Sequence, residues 1–348
     1  MFGFGHNEIM GMDIGSSVVK VVQLRQSQRG WIVTGAGISD ISDKGSDSPG
    51  RQDANTLRAI LNCVRLSGIR ANLAVCGVGG PGVVVRNFEF PAVPADEIDR
   101  AVRLEAKQVC PFNTDEIAVD YRLIPGGNNK TKGYLVVATD KLVNSKTRLV
   151  KKARLDCALM DIDGLALLNC FKELENPPNN HGTALLNIGS SHTTLAIEGK
   201  KGWPLIRDLN YAGDSIIRKV AAENELSEED VKATLAGNQQ EAHADVRQSF
   251  ESACDRLVTD ITKTVRYYGA QGQTSEIKKI LVCGGFALFG ELVKILDSRL
   301  PMKVATWNPF EKMRCQVGRH HRGVLVKNIL RKNGPAMAVA AGFAMRSI

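Results

Sequence analysis

Gly11-Met12-Asp13-Ile14-Gly15-Ser16-Ser17-Val18-Val19-Lys20 reads as strand, tight turn, strand. Met12 and Ile14 alternate with Asp13, Gly15-Ser16-Ser17 is the turn, and Val18-Val19 through Val21-Val22 restart a β-branched run. Such a turn can aim successive backbone N–H groups into one concavity, and small hydroxyl side chains let an anion come close. Asp13 stands just before that concavity, where a carboxylate can hold Mg²⁺ or its waters against a phosphate. On its own, a Gly-Ser turn between two strands is more often a plain β-hairpin.

The pattern occurs twice. Leu185-Leu186-Asn187-Ile188-Gly189-Ser190-Ser191-His192-Thr193-Thr194-Leu195-Ala196-Ile197 repeats hydrophobic, acid or amide, Ile-Gly-Ser-Ser, and then an alternating β run. Asn187 lies half a chain length beyond Asp13 in the 348 residues. A single repeat of that size predicts two related domains rather than a solenoid. Two such hairpins facing each other would clamp a polyphosphate from both sides of a cleft.

A chain of 348 residues exceeds one ordinary core and fits two domains with room for a smaller insert. Hydrophobic content of 43% and charged content of 24% are those of a soluble globular protein. The net charge of +8 permits an anionic partner without choosing one. Basic residues cluster over 141–154 and 312–332, and read first as solvated helix or loop faces and second as docking surfaces. The eight cysteines show no CxxC and no zinc spacing, and read as small buried hydrophobes of a reducing compartment. No HExxH or P-loop occurs, nor a GxSxG with partners. His192, directly after the second turn, is placed to flank a phosphate rather than to act as a base. No signal peptide is visible, and no run approaches the ~18 apolar residues of a membrane span.

Along the chain, periodicity predicts strands at Met10–Ile14, Val18–Leu24 and Trp31–Ile38, a loop over Ser39–Gly50, a helix at Asn55–Leu66 and a strand at Leu73–Val78. Between about 86 and 165 the style changes. Pro94-Ala95-Asp96-Glu97 starts a helix at Ile98–Val109, followed by strands Ala118–Ile124 and Tyr134–Thr139, a basic helix Lys141–Leu155 and a strand Leu159–Ile162. This reads as a compact α+β subdomain inserted in the first half. After a helix at Leu165–Leu174, Asn176-Pro177-Pro178-Asn179-Asn180 marks a linker. The second half predicts a strand at Trp203–Asn210, a helix opened by Gly213-Asp214, an N-cap at Ser227, one long helix over Glu241–Tyr268 and a strand Lys279–Cys283. That strand ends in Gly284-Gly285, where backbone can approach a ligand unobstructed by side chains. Pro335–Met345 is a small-residue helix.

Taken together, these stretches resemble the actin-like ATPase superfamily, and within it the type IV pilus assembly protein PilM family. The likeness rests on 11–20, Phe90-Pro91-Ala92-Val93-Pro94, Glu105-Ala106, Val109-Cys110-Pro111-Phe112, Asp120-Tyr121, the repeat hairpin, Val282-Cys283-Gly284-Gly285-Phe286 and Asn308-Pro309-Phe310. It implies an α/β, actin-like (ribonuclease H-like duplicated) two-lobed fold with a small α+β subdomain inserted in the first lobe. The lobes would be 1–178, with the insert at about 86–165, and 179–334, with a C-terminal helix over 335–348 returning to the first lobe.

The resemblance also implies ATP and Mg²⁺ in the cleft. Asp13, Gly15, Ser16, Ser17 and Lys20 would form the first phosphate loop, and Gly189, Ser190, Ser191 and Thr193 the second. Gly213, Asp214, Gly284, Gly285 and Phe286 would surround the nucleoside, and Asp13 and Asn187 would hold Mg²⁺ through water. The implied partner is the N-terminal cytoplasmic tail of a PilN-like bitopic inner-membrane protein, held beside the insert with Arg86 as a candidate contact. Pilus motor ATPases are further expected partners; nucleic acid is not. The chain would be cytoplasmic and peripheral to the inner membrane through its partner.

Two positions depart from the family's pattern. Asn187 stands where Asp is usual, which removes one negative charge from the Mg²⁺ site. In an ungapped comparison, Lys232 and Leu235 replace the Glu and Lys that meet the ribose. Both weaken hydrolysis more than the fold. An adaptor with weak or absent ATPase activity therefore comes first, with an active ATPase or phosphotransferase and a filament-forming protein as alternatives.

Overall fold

A computed structural model describes residues 8–42, 48–125, 129–175, 182–199, 203–237, 244–271, 276–317 and 321–348, the side chains of 49, 244, 321 and 322 excepted. The β-branched alternation at the N-terminus folds as an antiparallel meander of β1 (Ile9–Ile14), β2 (Val18–Ser27) and β3 (Gly30–Asp40). Helix α1 (Pro49–Ser67) follows and stops at Gly68, whose φ of 75° is left-handed. β4 (Leu73–Val78) then returns parallel to β1. The chain leaves the sheet through β5 (Val83–Pro91), α2 (Ile98–Val109), β6 (Ile117–Leu123) and β7 (Lys130–Thr139). It re-enters through α3 (Asp140–Lys152) and β8 (Asp156–Ile162), which pairs parallel with β4, and α4 (Asp163–Glu175) ends the first half.

The second half opens with another antiparallel meander, β9 (Gly182–Ile188), β10 (Thr193–Glu198) and β11 (Pro204–Leu209). Helices α5 (Gly213–Glu223), α6 (Glu228–Leu235), α7 (Ala244–Ala253) and α8 (Asp255–Ala270) lead to β12 (Ile277–Cys283), parallel to β9. After α9 (Gly290–Arg299), β13 (Lys303–Thr306) adds in parallel to β12. β14 (Arg314–Cys315), α10 (His321–Asn333) and α11 (Ala338–Ala344) complete the chain.

The first sheet runs β14-β3-β2-β1-β4-β8 and the second β11-β10-β9-β12-β13. Leaving out the two-residue β14, the orders are the same, with the same antiparallel and parallel senses. The repeated sequence is a repeated topology, and Asp13 and Asn187 occupy matching places near the end of the first strand of each meander. α11 fastens the C-terminus into the first half, packing against α4, β1, β2 and β4. Its alanines permit a close approach: a Cβ on Gly11 would stand 2.0 Å from the Ala340 carbonyl oxygen and 2.4 Å from the Ala344 nitrogen.

Several expectations change. The separate β5-β7-β6 sheet, with α2 against it, spans 83–139 and not 86–165, because β8 completes the first sheet and α3 packs on β4 and β8. The predicted helix over 241–268 lies outside the described residues at 241–243, and the remainder breaks at Cys254. α7 packs against α5 whereas α8 reaches β11, so one straight rod could not serve both. α1 begins earlier than expected, at Pro49, whose fixed φ suits a first helical turn. The linker at 176–180 lies outside the described residues. Gly11→Ala is expected to lower stability by about 3 kcal/mol in urea unfolding, since backbone and not a flexible side chain blocks the new methyl. Gly50→Ala, where a Cβ meets nothing, should leave the midpoint in place.

Candidate functional site

The two hairpin turns open onto one cleft of about 610 Å³. Asp13, Gly15, Ser16, Ser17 and Lys20 line one side; Asn187, Gly189, Ser190, Ser191 and His192 line the other. Asp214, Gly284, Gly285 and Phe286 also reach it. The turns close alike: Gly15 donates its amide to the Val18 carbonyl and Gly189 to that of His192, each at 3.1 Å. Among the described residues, no backbone acceptor engages the amides of Ser16, Ser17, Ser190 or Ser191. The Ser17 hydroxyl is buried and has no hydrogen-bond partner there either. An orphaned hydroxyl beside unengaged amides is a donor set suited to phosphate oxygens.

Some expected contacts prove to be supports. The Gly213 and Asp214 amides donate to the Gly189 and Ser190 carbonyls at 3.0 and 2.8 Å, so the start of α5 holds the second turn in place. Gly213 is packed under the Phe286 ring, where a Cβ would come within 1.8 Å, and does not line the cleft. Thr193 points inward, its hydroxyl donating to the Tyr211 carbonyl at 2.9 Å. Arg86 is exposed on β5 opposite Leu135, away from the cleft.

Charge is concentrated at the cleft floor. Lys20 Nζ lies 2.9 Å from Asp13 Oδ2, its register partner across β1 and β2. Lys146 of α3 is also in the cleft and donates to the Ile14 carbonyl. Burial pushes the Lys146 ammonium below its ordinary pKa, while Asp13 and Asp163 pull the other way. Asp163, the first residue of α4, lies 3.7 Å from His192 Nε2 across the cleft. Beneath them Asp208 of β11 accepts the Gly80 amide at 2.8 Å and the Thr194 hydroxyl at 2.5 Å. Burial raises the Asp208 pKa. For His192, burial opposes the charge, but Asp163, Asp208 and Asp13 outweigh it and hold the imidazole above its usual value.

Sequence reasoning missed Lys146 and Asp163 as cleft residues. Lys146 showed only as one member of a basic run, and Asp163 only as an acid between a strand and a helix. Lys232 does line the cleft, with Glu228 3.5 Å from its ammonium. Glu228 and Lys232 thus form an acid–lysine pair one turn before the positions an ungapped comparison gives, and of the two Lys232 alone lines the cleft. A polyphosphate fits the turn amides, Ser17 and the two lysines. A caged metal does not, since no group of three His, Cys, Asp or Glu among the described residues could hold one. Asp13 is already paired and Asn187 is neutral, so Mg²⁺ would be held through water and phosphate. Burial pushes the Cys63 and Cys254 thiols up to about 12, as expected of inert packing groups.

Two sheets of the same order around one cleft define the actin-like fold. The ethanolamine utilization protein EutJ from Carboxydothermus hydrogenoformans is similar at 12% identity and a TM-score of 0.56, over 97% of this chain and 89% of its own. A diol dehydratase-reactivating factor in its nucleotide-free form is similar at 11% identity and a TM-score of 0.54, over 97% and 99%. A chain of a PilM-PilN type IV pilus biogenesis complex superposes with a TM-score of 0.80 at 20% identity, over 97% of this chain and 98% of that one. Residues 11–348 match the family of type IV pilus assembly protein PilM, and the chain belongs to that family. Among the described residues, no helix is long and apolar enough to cross a membrane.

Because the folded state favours protonated His192, its contribution to stability is complete below the ordinary imidazole pKa of about 6.5 and fades as pH rises through the higher folded value. The difference in melting temperature between wild type and His192→Gln should therefore be larger near pH 5.5 than near pH 8. Equal differences at both would show that Asp163 and its neighbours do not favour the protonated imidazole in the folded state.

Proposed function

We propose that this chain is an actin-like adaptor of a type IV pilus assembly machine. It binds nucleotide between its lobes and holds the N-terminal cytoplasmic tail of a PilN-like inner-membrane protein beside the inserted sheet. Membership of the PilM family supports the machine, and the similarity to a chain of a PilM-PilN complex supports the partner. The observation that carries the adaptor reading is a second depression, of about 230 Å³, between the inserted sheet and α4. Its apolar lining includes Leu123, Ile124, Tyr134, Leu165 and Leu168, with Arg122, Arg346 and the ion-paired Lys172 and Glu198 around it. β6 is an edge strand, so an extended peptide can add main-chain hydrogen bonds there while its side chains enter the apolar lining. Arg86 is on the opposite edge strand, and Arg122 takes over its proposed contact. Such a tail keeps the chain cytoplasmic and at the inner membrane, where pilus motor ATPases are further partners.

In the cleft, the amides of Ser16, Ser17, Ser190 and Ser191 grip the phosphates, with Lys20 and Lys146 as counter-charges. Glu228 and Lys232 face the nucleoside end with Gly285 and Phe286. Asp13 and Asn187 would hold a Mg²⁺ ion through its waters. Bound ATP would supply a polyanion that both turns grasp at once, and so set the angle between lobes.

Calorimetry with synthetic N-terminal tails of bitopic pilus proteins, with and without Mg-ATP, tests the adaptor reading. One tail should bind, and Leu168→Arg should weaken it at least about ten-fold by placing a charge in an apolar lining. If no tail binds in either state, the adaptor reading fails. Lys146→Met should weaken Mg-ATP about ten-fold or more, the loss of a charge-assisted contact, while nucleotide-free tail binding persists. Unchanged ATP affinity would remove Lys146 from the phosphate site, and multiple turnover abolished by Asp13→Ala would make the chain an enzyme.

A further inference from the structure

Helix α10 presents a face that neither the cleft nor the tail groove uses. Its inward side, Val326 and Leu330, is buried in the core next to β3. Its outward side carries Val324, 60% exposed, and Leu325, 50% exposed, followed by exposed Lys327, Arg331 and Lys332. At 3.6 residues per turn these five side chains share one half of the helix surface. The other exposed large hydrophobics of the described residues are not sequence neighbours. Helix α10 contains no acid, and among the described residues no carboxylate pairs with Lys327, Arg331 or Lys332. On α5 and α6, by contrast, Glu223 lies beside Lys219 and Glu228 beside Lys232. Beside α10, the β2–β3 hairpin and β14 add exposed Arg25, Arg29 and Arg314.

We propose that this face of α10 docks directly on an anionic lipid bilayer. Adjacent aliphatics can enter the acyl boundary while lysines and arginines remain at the level of the headgroups. A nucleic-acid backbone would gain nothing from Val324 and Leu325, and the five outward residues include no aromatic ring on which a base could stack. The preference for a bilayer over an acidic protein rests on the reading proposed above, in which a membrane-protein tail keeps the chain beside lipid. The face thus adds a second, weaker hold to the tail.

The test is co-sedimentation of the full chain, without any tail, with phosphatidylcholine vesicles containing or lacking about 30% phosphatidylglycerol, at about 0.1 M salt. Wild type should partition onto the anionic vesicles and not the neutral ones. Lys327→Glu/Arg331→Glu/Lys332→Glu should reduce partitioning at least about 100-fold, given roughly five-fold per basic residue. Val324→Ser/Leu325→Ser should reduce it about ten-fold. Circular dichroism and tail binding of both variants report whether they fold. The proposal is overturned if wild type ignores anionic vesicles or if the charge-reversed variant binds equally. It is also overturned if the serine variant binds like wild type, which would mark mere adhesion of a basic surface. Tail binding is measured separately, so failure of either reading leaves the other's result legible.

Discussion

The Gly80 amide donates its hydrogen to a carboxylate of the opposite lobe, Asp208. That bond lies at the seam on which the rest of the molecule depends, because the two turns share a cleft only if the lobes meet at this floor. The seam tolerates little extra bulk. A Cβ at Gly80 would come within 3.2 Å of His192, and one at Gly164 within 2.5 Å of Ile206 on β11. His192 and Asp163 face each other just above. Close packing and buried polar bonds together leave few ways to join the halves.

Given that seam, each lobe needs only a rigid turn to offer. The glycine amides close the turns, and α5 braces the second from behind with two further backbone bonds. What faces the cleft is therefore fixed before anything arrives, which favours recognition by preorganisation. The first turn is braced differently, by the Lys146 ammonium on the Ile14 carbonyl. Duplication has preserved the backbone geometry while the side chains around it diverged, as Asp13 and Asn187 illustrate.

The fold and the two turns were legible in the sequence because their signals are local. Alternation marks the strands, and Ile-Gly-Ser-Ser occurs in both halves. Contacts between halves carry no such mark. Asp163 and His192 meet only because β8 and β9 end at the same floor, and neither residue's neighbours announce it. The break at Cys254 stayed hidden because the apolar stripe continues through Phe250, Leu257 and Ile261, all buried. The stretch that forms α10 shows in the sequence only as part of the basic cluster over 312–332. The insert ends earlier than its sequence suggests because β8 pairs with β4 and α3 packs on both, contacts that no local pattern marks.

Lys20 and Asp13 satisfy one another across the first hairpin. A vacant cleft is thereby partly neutralised, and it exerts less long-range pull on a polyanion than its lysines would suggest. Any anion at the first turn would have to compete with Asp13 for the Lys20 ammonium, so the hairpin's own ion pair limits how much charge that turn can offer.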